Sequence, residues 1–168
     1  PAEQKKEVGM KLNELKNKRC SRPIIACPPH LVSNYVKEVV YVTEGKLNLI
    51  PVTNMSLKQH GYEALAKLIM NAPPNSVVIT DFNFLKGKSQ EVSYGNKTIN
   101  VFQNAEFLRQ FEFDLIVVDE VHFLKNLKST RRHAAARFMQ DIPMKRIASG
   151  TLVADTLVDL VSQVALVD

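Results

Sequence analysis

The chain has 168 residues, 45% of them hydrophobic and 23% charged, which are the proportions of a folded globular domain and exclude a disordered or fibrous chain. Its 22 basic and 17 acidic residues leave a net charge of +5, an excess compatible with nucleic acid as a partner but not demanding it. No apolar stretch approaches the roughly 20 residues of a membrane span, and the Lys-rich first segment has no signal-peptide core, so no membrane role is expected.

Residues 3–18 have Val8, Leu12 and Leu15 on one face among many charges and predict an amphipathic helix. Pro23 to Cys27 is a short β-type run, ended by Pro28-Pro29. A helix is expected over 30–41 and a second strand over Leu47 to Val52. Ser56 reads as the N-cap of a helix running to about Met70, with Leu57, Leu65, Leu68 and Ile69 as its apolar positions. Asn71 to Asn75 holds two prolines and breaks the helix before a third strand at Val77 to Thr80. Val92, Tyr94, Thr98, Ile99 and Val101 flank Gly95-Asn96, the signature of a β-hairpin over 91–102 inserted at the rim of the sheet. A helix over 103–110, a strand at Leu115–Val118, a basic helix, a strand at Arg146–Ala148 and a last helix from about Asp155 to Val167 complete the pattern. Strands alternating with helices predict an α/β domain with a mostly parallel sheet and right-handed crossovers, and residues 1–168 read as one domain. Cys20 and Cys27 have no metal-type partners around them and read as reduced thiols, Cys27 buried at a strand end.

The chemistry concentrates at Asp114-Leu115-Ile116-Val117-Val118-Asp119-Glu120-Val121-His122. A short apolar run closed by two carboxylates reads as a central parallel strand, and ligands of open α/β sheets sit beyond the carboxyl ends of such strands. An Asp there can hold a Mg²⁺ that bridges nucleotide phosphates, and the next carboxylate can orient or deprotonate a water. A helix N-cap is the plain alternative for the same pair. The stretch Lys125 to Arg137 also carries Lys128, Arg131, Arg132 and His133, which reads either as a solvated helix face or as a face for phosphates.

Four segments in order resemble the first RecA-like lobe of superfamily-two helicases, most closely the Swi/Snf-type DNA translocases. The first is Pro23 to Tyr35 with Glu38 after it, similar to a strand-Cys-Pro segment that touches the DNA backbone. The second is Val77 to Phe82, and the third is the DExH box Asp119-Glu120-Val121-His122 with Lys125-Asn126 and Ser129 following. The fourth is Ile147 to Leu152 with Asp155 and Leu157, similar to a Ser/Thr-Gly-Thr segment; Leu152 stands where that family has Pro, and Asp155 where it usually has Asn. The resemblance spans residues 23–160. It implies a RecA-like three-layer α/β sandwich, ATP and Mg²⁺ as cofactors, and double-stranded DNA and a second RecA-like lobe as partners. It also implies Asp119 as the Mg²⁺ ligand, Glu120 as the base that positions the hydrolytic water, and His122, Ser149, Gly150 and Thr151 as coupling residues. Pro28, His30, Asp81, Lys125 and Asn126 would then line the DNA path, mostly against phosphates. The corresponding location is intracellular, in cytoplasm, nucleoid or nucleus, or in a phage- or virus-encoded system.

The phosphate cradle of such an ATPase, a glycine-rich loop ending Gly-Lys-Ser/Thr, has no counterpart among Gly9, Gly45, Gly61, Gly87, Gly95 and Gly150. Gly87-Lys88-Ser89 has the final tripeptide but follows the wrong strand and reads as a turn. The expectation is therefore a piece of a motor lobe that hydrolyses ATP poorly or not at all by itself. An RNA helicase lobe and a catalytically silent nucleic-acid-binding or scaffolding lobe stand as the alternatives.

Overall fold

A computed structural model describes residues 22–95, 97–150, 161 and 163–166. The chain enters on β1 (Pro23–Cys27) and a 3-10 turn (Pro29–Leu31), continuing into α1 (Val32–Val42), β2 (Asn48–Val52) and α2 (Asn54–Met70). It then forms β3 (Ser76–Asp81), the short α3 (Phe82–Lys86), β4 (Ser89–Tyr94), β5 (Lys97–Phe102) and α4 (Gln103–Arg109). β6 (Leu115–Val118), a 3-10 turn (Val121–Leu124), α5 (Thr130–Met139) and β7 (Met144–Ile147) follow.

Five strands form one sheet in the order β2-β3-β1-β6-β7, and every neighbouring pair is parallel. Alternation along each strand sorts side chains between its two faces. Ile24, Ala26, Ile50, Val52, Val78, Ile116 and Val118 point into the larger core, which α2, α3, α4 and α5 close with Leu65, Phe84, Leu108 and Phe138. Cys27, Leu49 and Ile79 face the other side, where α1 covers them with Val32, Tyr35, Val36 and Val39. Helices on both faces of a parallel sheet make this the RecA-like α/β arrangement, with β4 and β5 as a separate antiparallel hairpin.

The order of strands creates the ligand crevice. From β1 the chain moves toward the β2 side, whereas from β6 it moves toward β7, so the loops after these adjacent strands part. Asp119 stands at that point. Its amide continues the ladder by donating to Ala26 O at 2.9 Å.

Several expectations are refined. The cap of α2 is Thr53, not Ser56: Thr53 accepts from the Ser56 amide while the Ser56 hydroxyl accepts from the Thr53 amide, a capping box of two hydroxyls. Gly61, at φ +74°, breaks α2 midway. The hairpin starts at Ser89, two residues before the predicted edge, and the last strand lies at 144–147, ahead of 146–148. α3 was not expected at all. The helix expected over 3–18 lies outside the described residues, as does that over 155–167 apart from Val161 and Gln163–Val164, which are helical. Among the described residues no helix is long and apolar enough to cross a membrane.

Candidate active site at the end of β6

Asp119 is held on both oxygens. Its Oδ1 accepts the Glu120 amide at 2.9 Å, and its Oδ2 accepts the Tyr35 hydroxyl, arriving from α1, at 2.6 Å. Burial raises the Tyr35 phenol above its ordinary value, and the bond to the Asp119 carboxylate pushes in the same direction, so the hydroxyl keeps its proton and donates. Each carboxylate oxygen carries two lone pairs, so Asp119 retains one acceptor site on each.

Glu120 adopts a left-handed backbone, φ 52° and ψ 46°, a conformation that costs a non-glycine residue on the order of 1–2 kcal/mol. The turn is secured on both sides, by the Asp119 amide on Ala26 O and by the Val121 amide on Ala148 O at 3.1 Å. Glu120 is thereby swung away from the strand axis while staying next to Asp119. Its Oε2 is buried, lies 3.0 Å from His122 Nδ1, and among the described residues has no hydrogen bond of acceptable geometry. The same Nδ1 makes a hydrogen bond with Ser149 Oγ at 3.0 Å. A carboxylate oxygen 3.0 Å from Nδ1 would repel a lone pair there, which favours the tautomer with the proton on Nδ1. Glu120, His122 and Ser149 thus form a chain from the end of β6 to the segment after β7.

The donor set fits a magnesium ion of the kind held by one carboxylate and completed by phosphates and water. Asp119 has the free lone pairs for that, and the orphaned Glu120 Oε2 offers a buried acceptor for a water. Among the described residues no group of three or more His, Cys, Asp or Glu could hold a metal unaided. A protein-only metal cage is thus not what these residues form.

Of the expected coupling residues, His122 and Ser149 meet, Gly150 follows exposed in the next position, and Thr151 lies outside the described residues. The residues expected along DNA are dispersed in character. Pro28 is buried. His30 is exposed, with its ring 6.2 Å from that of the exposed Phe123, which in turn packs 4.6 Å from the His122 ring. Asp81 is 4% exposed and caps α3 by accepting the amides of Asn83 (2.8 Å) and Phe84 (2.9 Å), so its carboxylate is engaged in the fold. Asn126 is exposed and accepts the Lys128 amide, and Lys125 is half-buried.

Several basic residues of the stretch 125–137 are engaged within the fold. Arg132 is buried and donates to Leu124 O, fastening α5 to the turn behind the carboxylates. Arg131 donates to Asn83 Oδ1, His133 contacts Leu127 O at 2.9 Å, and Arg137 pairs with Glu106 at 2.7 Å. Ser129 caps α5 through the Arg132 amide.

A feature the sequence reading missed is a groove of about 600 Å³ along the carboxyl ends of β2 and β3, walled by α1. Ser33, Lys37, Thr53, Asn54, Gln59 and Asn83 supply its polar groups and Met55 and Pro29 part of its apolar floor. The proline pair after β1 was the available signal, because it turns the chain into α1 over this edge.

No protein-family model matches the sequence, and no curated protein matches it. In structure the chain is similar to the SWI2/SNF2 ATPase core of Sulfolobus solfataricus, solved in complex with double-stranded DNA, with a TM-score of 0.63 and 15% sequence identity. The match covers 93% of this chain and 27% of that one, so the chain spans about a quarter of the solved structure's length. At this identity the likeness shows the RecA-like fold alone.

Proposed function

We propose that this chain forms part of the N-terminal motor lobe of an ATP-dependent DNA translocase or helicase. The observation that carries the reading is the pair Asp119 and Glu120 at the diverging ends of β1 and β6, with Glu120 Oε2 buried and without a hydrogen bond. A buried carboxylate oxygen whose near neighbour, His122 Nδ1, makes no well-aligned hydrogen bond to it is under-satisfied, which costs on the order of 1 kcal/mol or more in a protein that never uses it. The likeness to an ATPase core solved on DNA supports the same reading.

In this proposal Asp119 holds Mg²⁺, which when bound neutralises charge on the transferred phosphoryl oxygens. Glu120, displaced by its left-handed turn, accepts a proton from the attacking water or orients it. His122 and Ser149 carry a change at Glu120 to the end of β7, and from there toward Gly150, Thr151 and a second lobe. The groove beside α1, with His30, Lys125 and Asn126 nearby in the proposal, takes the sugar-phosphate backbone. Hydroxyl and amide donors with few cations suit tracking without sequence readout. The phosphate cradle and the second lobe are proposed to be supplied outside this sequence, and the whole to work inside the cell, on nucleoid or nuclear DNA.

The test is ATP hydrolysis, with and without duplex DNA, by the full-length protein that contains this chain and by its Glu120→Gln variant. Turnover that DNA stimulates and the substitution abolishes, with nucleotide binding retained, is the expected result. Hydrolysis unchanged in Glu120→Gln would remove the assignment. Salt-sensitive DNA binding that ignores ATP would instead identify a catalytically silent lobe.

A further inference from the structure

Tyr35 and Asp119 are 84 positions apart, yet their 2.6 Å hydrogen bond is among the shortest side-chain contacts of the fold. A phenol donating to a carboxylate at this length is a charge-assisted bond, roughly twice as strong as a neutral one. The neighbouring positions of α1 have other duties: Val32 and Val36 pack under the sheet, and Ser33 and Lys37 line the groove. Tyr41, six positions on, is 86% exposed, and no hydrogen bond of its side chain is seen. Tyr35 is therefore the point at which the groove-lining helix reaches the carboxylate cluster.

We propose that Tyr35 is a positioning residue for Asp119, fixing the carboxylate so that its two remaining lone-pair sites face a divalent cation, and tying that orientation to α1. The inference deepens the motor reading and rests on it for the identity of the ion. The geometry has three parts. The Asp119 backbone is pinned to β1 through Ala26 O, its Oδ1 is pinned by the Glu120 amide, and its Oδ2 by Tyr35. Removing the third leaves the carboxylate free to swing about the Oδ1 bond. Partners of this kind behind a metal-binding carboxylate change metal affinity by about 10–100-fold when they are removed. A hydroxyl also keeps Asp119 from turning toward α1 unsatisfied, since Oδ2 is partly buried there.

The test uses Tyr35→Phe, which keeps the ring packed against the small core of Cys27, Val32, Leu49 and Ile79 and removes only the donor, with Tyr41→Phe as the control on the same helix. Two readings are made on the full-length protein that contains this chain. The first is the ¹H–¹⁵N resonance of the Glu120 amide without metal, which reports the bond to Asp119 Oδ1. The second is Mn²⁺ affinity by electron paramagnetic resonance in the presence of ATP. The Glu120 amide is expected to shift and lose exchange protection in Tyr35→Phe but not in Tyr41→Phe, and Mn²⁺ affinity to fall about tenfold. An unmoved Glu120 amide overturns the proposal whatever the metal does, as does Mn²⁺ affinity that is unchanged or tighter in Tyr35→Phe. A shifted amide in a protein whose parent form binds no Mn²⁺ upholds the positioning of Asp119 by Tyr35 and removes the ion from the motor reading.

Discussion

His122 and Ser149 join two parallel strands at their carboxyl ends: Nδ1 of the one meets Oγ of the other at 3.0 Å, across the β6–β7 pairing. With Glu120 Oε2 equally near the same nitrogen, the imidazole is a junction rather than a surface residue. The neutral ring is expected as the Nδ1–H tautomer, read from its ring ¹⁵N shifts. Ser149→Ala is expected to move the Nδ1 shift and cost about 1 kcal/mol of stability. An Nε2–H spectrum would contradict the proposed relay from Glu120.

Asp81 gives a prediction with a defined sign in pH. Burial raises its carboxyl above the ordinary value of 3.8, against the opposing amide bonds from Phe84 and Asn83 and the charge of Arg131. The folded protein therefore binds this proton more tightly than the unfolded chain does. The group's contribution is fully present below 3.8 and is lost as pH rises through the folded value. Asp81→Asn keeps the capping oxygen without the charge, so it should match or exceed the parent's stability at neutral pH, with the advantage shrinking on acidification. Asp81→Ala should cost about 1 kcal/mol through loss of the cap. Urea unfolding at several pH values checks both.

Much of this architecture is legible in the sequence, and the exceptions have physical causes. Apolar runs such as Leu115–Val118 announce buried strands because both faces need cover, and Gly95-Asn96 announces its turn because few residues tolerate a positive φ. α3 is invisible because its five residues are shorter than two helical turns, so no period can develop. Without that helix in view, the capping role of the Asp81 carboxylate is not legible, although the residue also lines the groove beside α1. Ser56 reads as the cap, and Thr53 does not, because a capping box of two hydroxyls three apart looks alike from either end. The carboxylate pair is legible, since it ends a strand. Its partner Tyr35 is not, because nothing local links α1 to β6.

Gly87 should resist substitution. Its backbone, φ 40° and ψ −145°, is one that side-chain-bearing residues rarely adopt. An added Cβ would also stand 2.7 Å from Nδ2 of Asn104. Asn104 has little room to yield, being 3% exposed, bonded to Phe84 O at 2.9 Å and accepting the Tyr62 hydroxyl at 2.5 Å. Gly87→Ala is expected to destabilise by about 2 kcal/mol or more in thermal or urea unfolding.

Cys27 should be chemically silent in the native state. It is fully buried, and burial first, then the charges of Asp81 and Asp119, push its thiol up to about 12. Alkylation mapped by mass spectrometry should reach Cys27 only at the rate of unfolding, which makes the residue a site-specific reporter of opening beneath the carboxylate cluster.

The position of β1 has a consequence for how the chain is made. Among the described strands it is the earliest in the chain, yet it ends in the middle of the sheet, between β3 and β6. Ile24 cannot meet Ile116 until β6 has emerged, and its other neighbour, Val78, arrives only after α1, β2 and α2. Until then an apolar strand with first two open edges and then one persists on the ribosome, where pairing with another nascent chain competes with folding. Yield of folded protein should therefore depend on the speed of synthesis and on chaperone supply more than on the final stability, and slower translation at low temperature is the condition under which this sheet closes on itself.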